Sequence, residues 1–389
     1  MTTAQAGASV VQQALGALSP IFVTTFGLSK AQLGVIFTAL MLGSALFVAA
    51  AGVVTDRWGE RRMVLLSGMA MTFALLAATL FVSYAWIVAC IAVFGAGYAA
   101  STPAGGRAIL AWFDRDRGFA MGIRQTGVPV GGFVGALTLP FVAHVAGYRG
   151  AFVFAAVIVA VTTLIAYLGY RELRDDAGPV TTLASVVRGM RALARDPRLI
   201  AVTLTCMVLV SAQAALSAFL TITGVAVVGT SAAVAALAFA CAQGAAVFGR
   251  LAWGYVSDRV LHGERLIPFA AICVLAAAGA AALALMHGGT VAVLFGAAIV
   301  LGLSAAGWNG LMAAAISEIG GSERAASALG IALTAIFLAS SAAPTAFGAL
   351  ADHTSLRVAW LASAALSVLG VAPVLWLRGH LAMPRPQGR

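Results

Sequence analysis

A chain of 389 residues that is 62% hydrophobic and only 9% charged cannot cover a water-facing globule, because soluble domains carry roughly 25% charged residues. Most of its surface must face lipid, and spans of about 20 apolar residues each then use up its length, which excludes a separate soluble catalytic domain. The net charge of +10 is nearly all arginine, with Lys30 the single lysine. These charges lie between apolar runs, so they report topology and not a nucleic-acid partner.

Twelve apolar runs of helix length follow one another. The first six cover about 4–26, 31–55, 62–84, 86–110, 118–142 and 150–170. The second six cover about 199–222, 231–256, 266–286, 289–316, 326–350 and 357–377. The pattern predicts an all-α membrane protein of twelve transmembrane helices in two six-helix bundles, residues 1–170 and 199–389, the second with a short cytoplasmic tail. The linker 171–198 holds Arg171, Arg174, Arg188, Arg191, Arg195 and Arg198. Its apolar Leu183, Val186, Val187, Met190 and Leu193 recur at helical spacing, as in a helix lying along a membrane surface. The first run begins almost at Met1 with no basic segment before it. No cleavable signal is recognisable there, and a start upstream of Met1 stays open.

Orientation follows from the basic residues. Seventeen of the 23 fall in the even-to-odd loops and the C-terminus, against Lys30, Arg149 and Arg357 on the other side. The bias predicts a multi-pass protein of the inner (cytoplasmic) membrane with both termini cytoplasmic.

Two of these loops nearly repeat each other. One reads Gly52-Val-Val-Thr-Asp56-Arg57-Trp-Gly59-Glu60-Arg61-Arg62, and the other Gly254-Tyr-Val-Ser-Asp258-Arg259-Val-Leu-His-Gly263-Glu264-Arg265, starting 202 residues later. Arg117-Gly-Phe-Ala-Met-Gly122-Ile and Ala325-Ala-Ser-Ala-Leu-Gly330-Ile repeat at a similar offset. Two duplicated halves put a substrate path between them, near the bilayer midplane.

With these motifs the chain resembles the major facilitator superfamily (MFS) over essentially its whole length. The first loop fits the family pattern G-x-x-x-D-R-x-G-R-R except that Glu60 stands where a basic residue is usual; the second is a degenerate copy. The run Arg117 to Gly132, with Gly127, Pro129 and Gly131, and the stretch Gly307-Trp308-Asn309-Gly310 look like bacterial organic-anion, monocarboxylate or cyanate-type permeases. The same glycines partly match the span-5 motif of drug antiporters, with the proline displaced by one residue. By this resemblance Gly52, Asp56, Arg57, Arg61, Arg62 and Asp114, with Gly254, Asp258 and Arg259, are gating residues, and Arg61 pairs with Asp114 or Asp116. Physically, Gly52 and Gly254 would let a neighbouring helix approach, and Asp56 and Asp258 could dock on a helix N-terminus. The alternative is a solvated basic loop that only sets topology.

Arg107, Arg124 and Arg250 lie inside spans, each roughly 10–12 Å from the cytoplasmic boundary at ~1.5 Å per residue. No Asp or Glu lies deep in any span. Intramembrane charges are functional candidates by default, and without carboxylate partners the natural counter-ion is an anionic substrate, for which the arginine fork is suited. The alternatives are that Arg124 enters the packing seam of Gly127, Gly131 and Gly135, and that Arg107 and Arg250 snorkel to the interface. By resemblance spans 1, 4, 7 and 10 line the path, which nominates Gln12, Gln13, Tyr98, Ser101, Thr102, Gln213 and Asn309; Gln243 lies two turns deeper than Arg250.

Cys90, Cys206, Cys241 and Cys273 sit in apolar runs without metal or redox spacing, as core residues do. No nucleotide, cofactor or metal motif is present, so no cofactor is expected and the chain does not read as an enzyme. The leading expectation is a monomeric secondary transporter that moves a small mono- or dicarboxylate by alternating access, with a proton or counter-anion as coupling partner. Drug or metabolite efflux on the same fold and a non-transporting membrane sensor are the alternatives.

Overall fold

The computed structural model describes residues 2–112, 117–170, 195–288 and 290–380, with side chains except at 2, 48–58, 60, 100–112, 117–125 and 321–327. The predicted surface helix of the linker lies outside the described residues. Among those described, regular structure is entirely helical: α1 (Thr2–Ala14), a 3₁₀ turn (Leu15–Leu18), α2 (Ser19–Phe26), α3 (Lys30–Trp58), α4 (Glu60–Ala77), α5 (Tyr84–Trp112) and α6 (Arg117–Gly169). After the linker follow α7 (Pro197–Thr223), α8 (Ala232–Tyr255), α9 (Leu266–Leu285), α10 (Val291–Leu303), α11 (Asn309–His353), α12 (Leu356–Leu369) and α13 (Val371–His380). Helices alone suit a chain surrounded by lipid, because every backbone group is then satisfied within its own segment.

Among the described residues, eight helical segments are long and apolar enough to cross a membrane, and Tyr84–Ala99 and Val291–Leu303 are shorter apolar helices. Phe73, Phe141, Val145, Phe248 and Leu369 are more than half exposed, an outer surface that only lipid would cover. These segments, with the turns inside α6 and α11, fit the twelve-span fold.

The boundaries depart from the sequence expectation at four places, each with a local cause. Span 1 is broken at Leu15–Leu18, where Gly16 meets α7: a Cβ on Gly16 would stand 2.8 Å from the carbonyl carbon of Ser217. Span 3 stops at Ala77, whose carbonyl accepts the Trp86 indole N–H at 2.7 Å. Spans 5 and 6 run on as α6, which turns at Gly147 with φ 67° and ψ 179°. Span 10 breaks over Ser304–Trp308, and its second part continues into span 11 as α11. Met312 and Leu333 border one cavity, although 21 straight helical residues would hold them about 30 Å apart; α11 therefore folds back between them. The start of α7 at Pro197 follows from Asp196, whose side chain caps the Arg198 N–H at 2.8 Å.

Glycine geometry marks the duplication in three dimensions. Gly59 and Gly263, the turn glycines of the two repeated loops, have φ of 84° and 86°. The predicted small-residue seam of α6 is also real packing: Cβ atoms on Gly131 and Gly135 would come 2.8 Å from Ser9 Cβ and 2.6 Å from Ala14 Cβ on α1.

The two halves meet along α3–α11, α6–α8 and the junction of α1 and α2 with α7. Close contact is made where the start of α3 meets the end of α11. Asp352 at the end of α11 accepts from the Lys30 and Ala31 N–H groups of α3 at 3.0 and 2.7 Å, and from Lys30 Nζ at 3.3 Å. One layer deeper Thr38 donates to the Ser341 carbonyl, and a Cβ on Gly34 would stand 2.6 Å from the Pro344 carbonyl carbon. Ser19 donates to the Ala218 carbonyl at 3.1 Å, and Thr221 to that of Gly16. Between the halves, this face is shut.

Two outcomes are expected. Gly59→Ala and Gly147→Ala put a Cβ on backbone that suits glycine alone, at about 1–3 kcal/mol each, and should lower the thermal midpoint of the purified protein; Gly330→Ala, mid-helix with nothing within 4 Å of its Cβ, should not. Asp352→Ala removes the shared acceptor of the latch and should raise, several-fold, the reaction of a Thr345→Cys variant with a membrane-impermeant thiol reagent.

Candidate functional site

Below the shut layer lies a cavity of about 230 Å³ between the two halves. Larger hollows, such as one walled by Leu46, Phe47 and Met63, are apolar and sit among lipid-exposed side chains of a single half. Ser67 is the one polar side chain lining the Leu46 hollow, and its hydroxyl is bonded to the Val64 carbonyl, whereas specific sites are defined by a few convergent polar groups.

The central cavity gathers six of the predicted residues: Gln12, Gln13, Tyr98, Gln213, Arg250 and Asn309. The helix breaks position them. Arg250 Nε donates to the Ala306 carbonyl at 3.3 Å, an acceptor released by the interruption at Ser304–Trp308. Gly249, one residue earlier, would bring a Cβ 3.1 Å from Gly307 Cα, so α8 lies directly against this break. Asn309 opens α11 and lines the cavity with Arg250. Trp308 next to it is buried, with its indole N–H held by the Ala305 carbonyl at 2.8 Å.

On the other half, Tyr98 is fixed by α1: Gln5 Nε2 donates to its hydroxyl at 2.9 Å, and Ser9 Oγ lies at 3.4 Å. Gln13 is buried, and Gln12 carries a buried Oε1 with no hydrogen-bond partner. Gln5 was legible in the sequence only as part of a polar opening. Its spacing from Ser9, Gln12 and Gln13 is that of one helix face, a signal that could have placed it at the site.

Other predicted residues lie elsewhere. Gln243 is buried in the α6–α8 seam and not among the cavity-lining residues; its Nε2 lacks a partner and would sit 2.5 Å from a Cβ on Gly132. The side chains of Arg107 and Arg124 lie outside the described residues, as do those of Gly52, Asp56, Arg57, Ser101 and Thr102; Asp114 and Asp116 lie outside them altogether. Arg61 packs on Tyr167, with Cζ 4.4 Å from the ring centroid and Nε donating 3.0 Å to the Tyr167 carbonyl. Arg62 and Arg259 are exposed.

The second loop corrects two expectations. A Cβ on Gly254 would meet nothing within 4 Å, so this glycine admits no neighbouring helix; Gly249, one and a half turns earlier, does. Among the described residues Asp258 pairs with Arg265 of its own loop and not with a helix N-terminus. Arg265 is nearly buried and also reaches Glu318 on α11, with Nη2 to Oε1 at 2.6 Å, and Ser257 Oγ at 2.8 Å. Arg265 and Glu318 thus tie the loop to the reversing helix. The sequence showed Glu318 only as a residue near a span end, without its partner.

The comparisons agree with this architecture. A model of the Major Facilitator Superfamily matches residues 1–344. An uncharacterised MFS-type transporter of Mycobacterium tuberculosis is 32% identical over 320 residues, 79% of this chain and 68% of that protein. A probable sulfoacetate transporter of Cupriavidus necator is 24% identical over 164 residues, 42% of this chain and 38% of that one. Among solved structures, a bacterial homologue of the human lysosomal transporter Spinster, inward-facing and occupied, superposes with a TM-score of 0.82 at 16% identity, over 100% of this chain and 97% of that one. The same homologue, inward-facing and unoccupied, gives 0.80 at 17% identity, again over 100% and 97%. With fold, duplicated loops and family match in agreement, the chain belongs to the Major Facilitator Superfamily: it is a multi-pass membrane transporter of a small molecule and not an enzyme.

Proposed function

We propose that the protein is a secondary active transporter for a small organic anion, working by alternating access in the inner membrane with both termini cytoplasmic. The observation that carries this reading is Arg250 in the central cavity, fixed by a helix break and faced by neutral amides. No Asp or Glu lines the cavity among the described residues. A guanidinium with amide neighbours in such a cavity can give a carboxylate or sulfonate charge-assisted hydrogen bonds. The partial likeness to a probable sulfoacetate transporter supports an anion as cargo.

On the orientation predicted by the basic loops, the shut face is the outer one. The conformation is then inward-facing, as in both solved structures of the Spinster homologue. Residues 1–170 and 199–389 act as the rocking halves and 171–198 joins them. Arg265, Glu318 and Asp258 brace the cytoplasmic end of the second half, where Asp56 and Arg57 of the first loop form the opposing part of the inner gate. Arginine does not release its proton in proteins. Coupling therefore runs through protonation of the substrate or exchange for a counter-anion, and not through a carboxylate in the cavity. Efflux of a cationic drug is disfavoured because such cargo needs the acidic residue that the described cavity does not offer.

Arg250→Ala should weaken anion binding roughly ten- to a hundredfold, the equivalent of losing about 1.5–3 kcal/mol of charged hydrogen bonding, while the protein still reaches the membrane; binding to purified protein checks it, and unchanged affinity would sink the anion reading. Arg265→Gln separates Glu318 from Asp258 far from the cavity. It should slow turnover several-fold in proteoliposome uptake and leave substrate affinity within about twofold, whereas equal loss of both would argue against a gating role.

A further inference from the structure

We infer that Gln243 is a positioning residue of the transport cycle: its side-chain amide bonds across the seam between the halves to Gln13 when the shut face opens. The two amides meet at one glycine. A Cβ on Gly132 of α6 would stand 2.5 Å from Gln243 Nε2 of α8 and 2.8 Å from Gln13 Cβ of α1. Two atoms at those distances from one point are at most about 5.3 Å apart. Both side chains are buried, at 4% and 5% exposure, and Gln243 Nε2 has no hydrogen-bond partner in this conformation. The Gln13 amide lies two bonds beyond its Cβ, so a change of rotamer carries it across that gap. Each amide can donate and accept, so the bond forms in either sense.

Beside this pair the arrangement is reversed. Phe133 of α6 lies on Gly244 of α8, with ring carbons 3.7 and 3.8 Å from a Cβ built there. Each helix thus lays a side chain over a glycine of the other. Gly132 is 15 residues from the start of α6 and Gln243 is 12 from the end of α8, roughly 18–22 Å at ~1.5 Å per residue. That is mid-depth in a bilayer about 40–45 Å thick with its headgroups. A contact at mid-depth lies near the axis about which two halves rock, so the amides stay within reach while the angle between their helices changes.

The internal repeat marks the same level. At the offsets of the two repeated motifs, 202 and 208 residues, Gln243 corresponds to Met41 and Gly132 to Ser340. Both of these line the cavity, as does Gln13, and Gln243 stands beside Gln13. In that matching seam, α3–α11, Thr38 already bonds the Ser341 carbonyl and the Thr345 hydroxyl across the halves. Opening the shut face breaks those bonds. A buried amide without a partner raises the free energy of the conformation that contains it, and a partner gained in the other conformation shifts the balance toward that one. The two seams would exchange hydrogen bonds in each cycle, with Gln13 linking the exchange to the cavity.

The role requires the alternating access of the proposed function but no particular charge on the cargo. The test therefore uses no cargo, and its failure leaves the anion reading standing. It is the rate at which a Thr345→Cys variant reacts with a membrane-impermeant maleimide in intact cells, with Cys241, the one native cysteine that is not buried, replaced by serine. With both termini cytoplasmic, the reagent reaches residue 345 only when the shut face opens. Gln243→Met removes the amide and keeps an unbranched side chain. It should slow the reaction at least fivefold and leave the thermal midpoint of the purified protein equal or higher, since an unpaired buried group is lost. Gln13→Met removes the other partner and should slow the reaction as much, and the double variant should be no slower than either single one. A rate unchanged by either substitution, slowdowns that multiply in the double variant, or a slowdown with a lowered midpoint in Gln243→Met would overturn the assignment.

Discussion

Everything else in this structure depends on how closely two helices of opposite halves can approach at one face of the membrane. At Gly34 and Pro344 the backbones of α3 and α11 come so near that a Cβ would collide with a carbonyl carbon. Gly348 makes the same approach to Lys30, and Gly16 to Ser217. In lipid the hydrophobic effect does not drive helices together, so close van der Waals contact and interhelical hydrogen bonds must do so. The small residues provide the first and Thr38, Ser19, Thr221 and Asp352 the second. Such a seam can also come apart. Among the described residues it rests on close glycine contacts and a few hydrogen bonds, as suits a surface that opens and closes in each cycle.

The same economy explains the two broken spans. In the 3₁₀ turn at Leu15–Leu18 the Gly16 carbonyl accepts from the Ser19 N–H and also from the Thr221 hydroxyl of α7. The break at Ser304–Trp308 does the equivalent in the second half, where the Ala306 carbonyl accepts from Arg250 and that of Leu303 from the Trp253 indole at 2.8 Å. Irregular backbone at membrane depth is tolerated where it is buried in protein or borders a cavity. Here it does both, and it places the charged and amide side chains of the site at the end of the shut layer.

The sequence made the fold legible because membrane helices announce themselves by length and apolarity, and because the duplicated loops carry turn glycines. Gly59 and Gly263 are recognisable from the motif, and their positive φ is what the motif needs. Six site residues were legible for a similar reason: a polar or charged side chain within an apolar run has few places to point. Interactions between distant segments were not. Whether Asp258 serves a helix N-terminus or Arg265 depends on where Glu318 arrives, and that is decided by the reversal of α11. Gly254 and Gly249 look alike in sequence; only the crossing point of α8 over the span-10 break distinguishes them. Gln243 has the same composition cue as Gln213, yet a rotation of α8 sends one into a seam while the other borders the cavity.

The proposed cycle is constrained most by a charge that cannot be switched off. Arg250 keeps its proton at any physiological pH, so on the proposed reading an anion bound beside it travels with a charge that does not titrate. Coupling then falls to the cargo itself, either as a proton carried with the anion or as a second anion exchanged for it. On that reading the arginine, held by a backbone carbonyl at a helix break, both selects the anion and leaves the coupling to it.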